Sequence, residues 1–263
     1  MGEGGSEGAD RTREASASEH QASWEEHARW WIDGFTDGAD PEYEEQILPL
    51  AASELAGARR ILDVGCGDGQ ITRMAAALDG VEAAVGVDPT WNQISVAARR
   101  GAATGFLRAG ADSLPFADAS FDAVVACLVF EHVDALDEAI GEVARVLVPR
   151  GRFCLFLNHP LLQTPGSGWI DDQVLDPPEQ YWRIGPYLPD AESVEEVEPG
   201  VWIRFLHRPL SRYVNTLAAH RLFVERMVEP APPAGFLALA PEYLDAATVP
   251  RLLYLRTSLR PSR

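Results

Sequence analysis

The stretch Ile61-Leu62-Asp63-Val64-Gly65-Cys66-Gly67-Asp68-Gly69 constrains this chain more than any other part of it. A short apolar run leads into glycines at every second position, and a helical pattern follows. Such a sequence reads as a buried strand, a sharp turn and a helix. Glycine permits the tight turn and lets a ligand approach the main chain closely. The spacing is GxGxG, whereas a dinucleotide pyrophosphate resting on a helix N-terminus calls for GxGxxG. No Lys-Ser/Thr pair follows, so the turn is not a P-loop either.

The surrounding pattern extends the motif into a fold. Strands are expected at 60–64, 84–87, 105–109, 121–128 and 152–157, with helices at 70–78, 91–100 and 136–147. Alternation of this kind gives a mostly parallel sheet with helices on both faces, an α/β Rossmann-like class. Residues 1–21 carry almost nothing to pack and are expected to be a disordered tail. From Ala22, Trp24, Ala28, Trp31 and Phe35 recur at helical spacing. A second helix is expected at Asp40-Pro41, with Asp40 as cap and Tyr43, Ile47, Leu50, Ala51 and Leu55 as its stripe. These two helices form a cap over 22–56 on one domain spanning 22–263. Beyond Asn158 the rhythm breaks. Residues 159–199 have no clear period, and a strand is expected at 201–206, a helix at 210–220 and strands at 222–228 and 251–257.

Charge narrows the function classes. Forty acidic against 22 basic residues give a formal charge of −18. Phosphate contacts dominate nucleic-acid affinity, so such a surface argues against nucleic acid and anionic membranes as partners. No apolar run approaches the roughly 18–20 residues of a membrane helix. The three cysteines, Cys66, Cys127 and Cys154, show no metal spacing, and no metal is expected. The N-terminus has no apolar core, and a reducing, cytoplasmic location is the expectation.

Two acids give the glycine turn its meaning. Val85-Gly86-Val87-Asp88 ends the next strand about 20 residues downstream, where a carboxylate can accept from both hydroxyls of a ribose. Asp112, in Gly110-Ala111-Asp112-Ser113-Leu114-Pro115-Phe116, can accept from an adenine amino group. With LDVGCGDG (62–69), GVD (86–88), SFDAVV (120–125), EHV (131–133) and RVLVPRGRF (145–153), the chain resembles class I S-adenosylmethionine-dependent methyltransferases. The likeness is greatest to the small-molecule branch related to the ubiquinone and menaquinone methylases. It implies a seven-stranded sheet with the last strand antiparallel, and S-adenosylmethionine as donor with S-adenosylhomocysteine as product. It further implies that Asp63, Gly65, Cys66 and Gly67 surround the methionine end, that Asp88 holds the ribose, and that Asp112 and Ser113 hold the adenine. Cys127 and Leu128 then line the methionine pocket, with Pro89, Trp91 and Ala111 completing the cofactor set. Trp91 either packs on the adenine or plays a plain structural part. Two departures concern turns: Arg150 stands where the family usually has glycine, and Ala219-His220-Arg221 replaces a small-Gly pair.

Methyl transfer from a sulfonium is an in-line displacement that needs no protein nucleophile, and needs a base only when the accepting atom is protonated. His159, His132 and His207 are the candidates, with His159 favoured because it follows the fifth strand at its carboxyl end. Each has an ordinary structural role as its alternative. Long irregular segments inside compact domains are usually lids or binding loops. Residues 159–199 are therefore expected to cover the substrate, with Trp169, Tyr181, Trp182 and Tyr187 as its wall; padding or an oligomer contact is the competing reading. A small, apolar or aromatic molecule leads as substrate. A protein or tRNA substrate, or cofactor binding without methyl transfer, are the alternatives. Oligomeric state and the accepting atom stay open.

Overall fold

The computed structural model describes residues 17–101, 105–243 and 245–261. Most of the expected tail, residues 1–16, lies outside the described residues. Helix α1 runs Ala17–Phe35, so it starts five residues before the expected Ala22. A π-helical turn, Tyr43–Ile47, leads into α2, Leu48–Leu55. Asp40 caps this segment as expected: its Oδ1 accepts the Tyr43 N–H at 3.0 Å. Tyr43, Ile47, Ala51 and Leu55 are buried on one stripe.

From there the expected alternation unfolds. It comprises β1 (Arg60–Val64), α3 (Gln70–Ala76), β2 (Ala83–Asp88), α4 (Trp91–Arg100), β3 (Gly105–Arg108), β4 (Phe121–Cys127), α5 (Leu136–Val146) and β5 (Leu147–Asn158). Four more strands belong to the second half: β6 (Gly168–Asp172), β7 (Glu179–Arg183), β8 (Ala191–Glu198) and β9 (Val201–His207). The chain then forms α6 (Leu210–Ala219), β10 (Leu222–Val228), α7 (Ala234–Leu239) and β11 (Leu252–Leu259).

The central sheet has seven strands in the order β10-β11-β5-β4-β1-β2-β3. The pairs β3–β2, β2–β1, β1–β4 and β4–β5 are parallel, and β11 is antiparallel to both β5 and β10. Both faces are covered. Leu62, Val64, Val124, Ala126, Phe153 and Leu155 pack into one core layer, and Ile61, Ala123, Val125, Cys154 and Phe156 into the other. A strand points successive side chains to opposite faces, so two buried faces produce the unbroken apolar runs seen in the sequence.

The segment after β5 departs from expectation. Strand β9 does not rejoin the central sheet; it pairs antiparallel with β8 alone. Strands β6 and β7 form a second separate hairpin. The region that reads as aperiodic is thus two β-ribbons. Both substituted turns keep left-handed backbone without glycine, with φ of 68° at Arg150 and 64° at Arg221. No helix among the described residues is long and apolar enough to cross a membrane.

Candidate active site

The glycine turn sits at the carboxyl ends of β1 and β2, where open α/β sheets bind ligands. Gly65 has φ of 71°, and a side chain there would run into Val129. Gly67 has φ of 53°, and the nearest atoms to a Cβ there would be Trp31 Nε1 at 3.6 Å and the Gln93 carboxamide at 3.8 Å. The turn is pinned by Gly65 and Cys66 N–H groups donating to the Val87 carbonyl, at 2.8 and 2.9 Å. A cavity of about 680 Å³ opens above it.

Ten of the twelve expected cofactor residues line this one cavity. Asp63, Gly65, Cys66 and Gly67 lie on its floor with Cys127 and Leu128, and Asp88, Pro89, Ala111 and Asp112 complete the wall. Leu128 takes φ of 55°, an uncommon conformation for a branched side chain and the kind of strain that clusters at binding sites. Two residues lie elsewhere. Ser113 is exposed and outside the lining. Trp91 is 58% exposed and also outside it, so the structure gives it no place on an adenine.

The acids are unequal. Asp88 Oδ2 accepts the Gly67 N–H at 3.0 Å, and Oδ1 accepts Thr90 N–H and Oγ1–H at 2.9 and 2.5 Å. A carboxylate offers about four acceptor positions. Three donors within the protein thus hold the Asp88 carboxylate in the cavity wall. Gln93 also lines the cavity: it is 3% exposed, and its buried Oε1 has no donor among the described residues. Burial raises the Asp88 carboxyl above its ordinary range, against the pull of Thr90 and Gly67. Asp63 is 2% exposed and bound to Thr72 Oγ1 at 2.6 Å. Burial, aided by Asp88 and Asp68, pushes it up to about 7. A buried acid without a cation suits a ligand that brings an ammonium group. The cradle, the orphaned Gln93 oxygen and the buried Asp63 carboxyl together fit S-adenosylmethionine.

Helix α1, the first helix of the expected cap, adds side chains beyond the candidate site residues. Trp24 and Trp31 line the cavity, and α1 bridges α4 and β9. Thr90 precedes α4 but gives its hydroxyl to Asp88, so the first N–H groups of α4 need another acceptor. Glu25 provides it from α1, accepting from Trp91 N–H at 2.7 Å and Asn92 N–H at 3.0 Å. The other end of α1 is held by Asp37, whose N–H donates to Gln70 and whose carboxylate pairs with Arg100 at 2.9 Å. The tryptophans were visible as a stripe. Gln93 was signalled by a polar residue on the same helical face as Ile94 and Ala97, and the bond from Glu25 had no signal.

A second cavity, of about 450 Å³, adjoins the first and shares Trp24, Trp31, Tyr43, Leu128 and His132 with it. Of the expected aromatic wall, Trp182 lines this space. Trp169 stacks on Tyr243 at 5.3 Å, Tyr181 is exposed, and Tyr187 accepts the Leu210 N–H at 2.9 Å while packing on His207. These three lie outside the linings of both cavities.

His159 lines neither cavity. Its Nδ1 accepts the Leu161 N–H at 3.1 Å, so Nε2 carries the proton and donates to Glu229 at 2.8 Å. His207 is buried, donates from Nε2 to the Tyr187 carbonyl at 2.7 Å, and is likewise outside both linings. His132 alone of the three stands in the shared wall.

Comparison with known proteins agrees with this geometry. Residues 62–155 match the family model described as a methyltransferase domain. A demethylmenaquinone methyltransferase from Symbiobacterium thermophilum is 38% identical over 202 residues, 72% of either chain. Another, from Thermus thermophilus, is 34% identical over 127 residues, and the match spans 47% of this chain and 57% of the relative. The solved S-adenosylmethionine-dependent methyltransferase from Mesorhizobium loti is 25% identical, with a TM-score of 0.67, over 80% of this chain and 96% of its own. The chain belongs to the class I S-adenosylmethionine-dependent methyltransferases.

Proposed function

We propose that this protein transfers a methyl group from S-adenosylmethionine to an O, N or C atom of a small, apolar or aromatic molecule. The observation that carries the reading is the second cavity, which meets the first at Leu128 and His132 and so offers an acceptor a seat beside the donor. Its wall is aromatic: Trp30, Phe35, Trp182 and Phe205 add to the shared tryptophans. Such surfaces give large contact area to flat apolar molecules. Its charged lining is mostly acidic, with Asp40, Glu42, Glu195 and Glu198 against Arg251, whose Nε is paired with Glu42 at 2.9 Å. An anionic acceptor is therefore disfavoured, and a polyanion more so. The relatives' name, demethylmenaquinone methyltransferase, is consistent with an apolar ring system as acceptor.

In this reading α1 and the two ribbons are the cover. The ribbons bring Trp182, Glu195, Val197, Ile203 and Phe205 to the cavity, so the cover extends past residue 199 to β9. The role of the protein is to seat the acceptor, exclude water and hold the cofactor, while the bound cofactor supplies the electrophilic methyl group. All three cysteines are free and buried, which suits a cytoplasmic location. The test is labelled methyl transfer from S-adenosylmethionine into cell extract, read by mass spectrometry. Label in a small apolar product supports the reading. Label confined to protein or tRNA, or no transfer, contradicts it.

A further inference from the structure

A buried polar side chain costs free energy unless it is hydrogen-bonded, and a carboxyl costs more than most. Glu131 is 2% exposed and belongs to the wall of neither cavity. It sits on the turn Phe130–His132, which follows β4. Arg208 fixes that turn, its guanidinium donating to the carbonyls of Phe130, Val133 and Asp134 at 2.9, 2.7 and 3.1 Å. Glu131 Oε1 in turn accepts two donors from the last residue of β5: the Asn158 main-chain N–H at 3.1 Å and its Nδ2–H at 2.9 Å. Because Oε1 already accepts the main-chain N–H, the carboxamide atom beside it has to be the donor, and the two ends of the Asn158 amide are told apart. The carboxamide oxygen then lies on the side turned away from Glu131. No donor among the described residues reaches it. Asn158 is half-buried and lines the second cavity but not the first.

From this placement we infer that Asn158 is a specificity-determining residue: its Oδ1 takes a hydrogen bond from the acceptor molecule, which therefore carries an O–H or N–H group. Glu131 is the positioning residue that fixes this oxygen; the inference rests on the methyl-transfer reading above. The rest of the wall agrees. Asp40, Glu42, Glu195 and Glu198 bring further acceptor oxygens to the same cavity. The indole nitrogens of Trp30 and Trp182 are themselves buried, so those rings offer the cavity carbon surface rather than a donor. A flat apolar molecule with a proton to give matches this inventory. An ether of the same shape leaves Oδ1 covered and unpaired, and a site built to bond an O–H or N–H rejects the analogue that lacks it. Glu131 is well placed to set this preference because it ties the end of β5 to the turn after β4, and so holds the amide from behind the wall.

Binding of three flat probes to the protein loaded with S-adenosylhomocysteine, followed by ligand-observed NMR, tests this without turnover. The probes are 2-naphthol, 2-naphthylamine and 2-methoxynaphthalene, which share a ring system; the last has an oxygen but no proton to give. The parent should bind 2-naphthol or 2-naphthylamine roughly 10-fold more tightly than the ether. The tighter of the two tells whether the site reads an O–H or an N–H. Asn158→Ala should erase the preference and leave affinity for S-adenosylhomocysteine within about twofold of the parent, since the lost bond lies outside the cofactor cavity. Glu131→Leu should erase it too, because the amide is then free to turn. Glu131→Gln should keep it, because a carboxamide oxygen can accept both Asn158 donors; loss in the leucine variant with rescue in the glutamine variant is the mark of positioning. Should Glu131→Leu fail to fold, Asn158→Ala and Glu131→Gln decide the matter. A parent that binds the ether as tightly as the other two, a parent that binds none of them, or an Asn158→Ala variant that keeps the preference overturns the inference. Labelled methyl transfer into extract separates that failure from failure of the reading beneath it: transfer that proceeds while the probes show no preference removes the role of Asn158 and leaves methyl transfer standing.

Discussion

At the scale of single residues, the site and the stability of the protein pull against each other. Asp63 has an ordinary carboxyl value of 3.8 and is raised to about 7 by burial in the folded chain. The folded state then holds the proton more tightly than the unfolded one. Its contribution is fully present below pH 3.8 and is lost as pH rises through 7, at a cost of about 4 kcal/mol above that range. Asp63→Asn can still accept from Thr72, so the ligand-free variant should melt higher than the parent at pH 8, with the gain vanishing near pH 4. The same variant should bind cofactor more weakly. A variant no more stable than its parent at pH 8 would show that the acid is compensated in the folded protein. Arg150 poses the converse case, since an exposed arginine holds φ of 68° with no function attached. Left-handed backbone costs a non-glycine residue roughly 1–2 kcal/mol, partly offset by glycine's freedom when unfolded. Arg150→Gly should therefore raise stability by about 1 kcal/mol in denaturant melts.

At the scale of elements, α1 lines both cavities and is held by a borrowed cap. Glu25 replaces the capping that Thr90 gives up to Asp88. Glu25→Gln should loosen α1 by about 1 kcal/mol, seen as faster amide exchange in α1 and the first turn of α4. Deleting the chain through Phe35 should cut cofactor affinity, because Trp24 and Trp31 leave the wall; equal affinity would reduce α1 to an accessory. Trp182→Ala should lower turnover or raise the acceptor requirement and leave S-adenosylhomocysteine affinity intact. The elements differ in how far sequence revealed them. Strands β1 and β4 are buried on both faces, so their apolar runs state their identity and nearly their ends, whereas β5 starts at Leu147, five residues before its expected apolar run, through the exposed Pro149 and Arg150. The ribbons are half exposed, with Tyr181, Val194 and Trp202 facing solvent, so alternation carries little contrast. Side-chain direction was hidden too. His159 does follow the end of β5, but its ring turns to Glu229, seventy residues on, and Trp169 turns to Tyr243. Long-range partners of this kind leave no local pattern.

At the scale of the whole molecule, one sheet end organises the account. The carboxyl ends of β1, β2 and β4 line the first cavity, α1 lines both cavities, and the ribbons line the second. The central claim is that the first cavity binds the adenosyl cofactor through Asp88 and Asp63. Calorimetric titration with S-adenosylhomocysteine, against the parent and Asp88→Ala at pH 6 and pH 8, tests it most directly. The expected result is binding by the parent and weakening by about 1–3 kcal/mol in the variant, the usual cost of a lost charge-assisted hydrogen bond. An ammonium group beside Asp63 lowers its pKa, so binding releases a proton near pH 7 and affinity should fall from pH 8 to pH 6. NAD should not bind, since the turn is GxGxG. Unchanged affinity in Asp88→Ala, or binding of NAD in place of S-adenosylhomocysteine, would contradict the account.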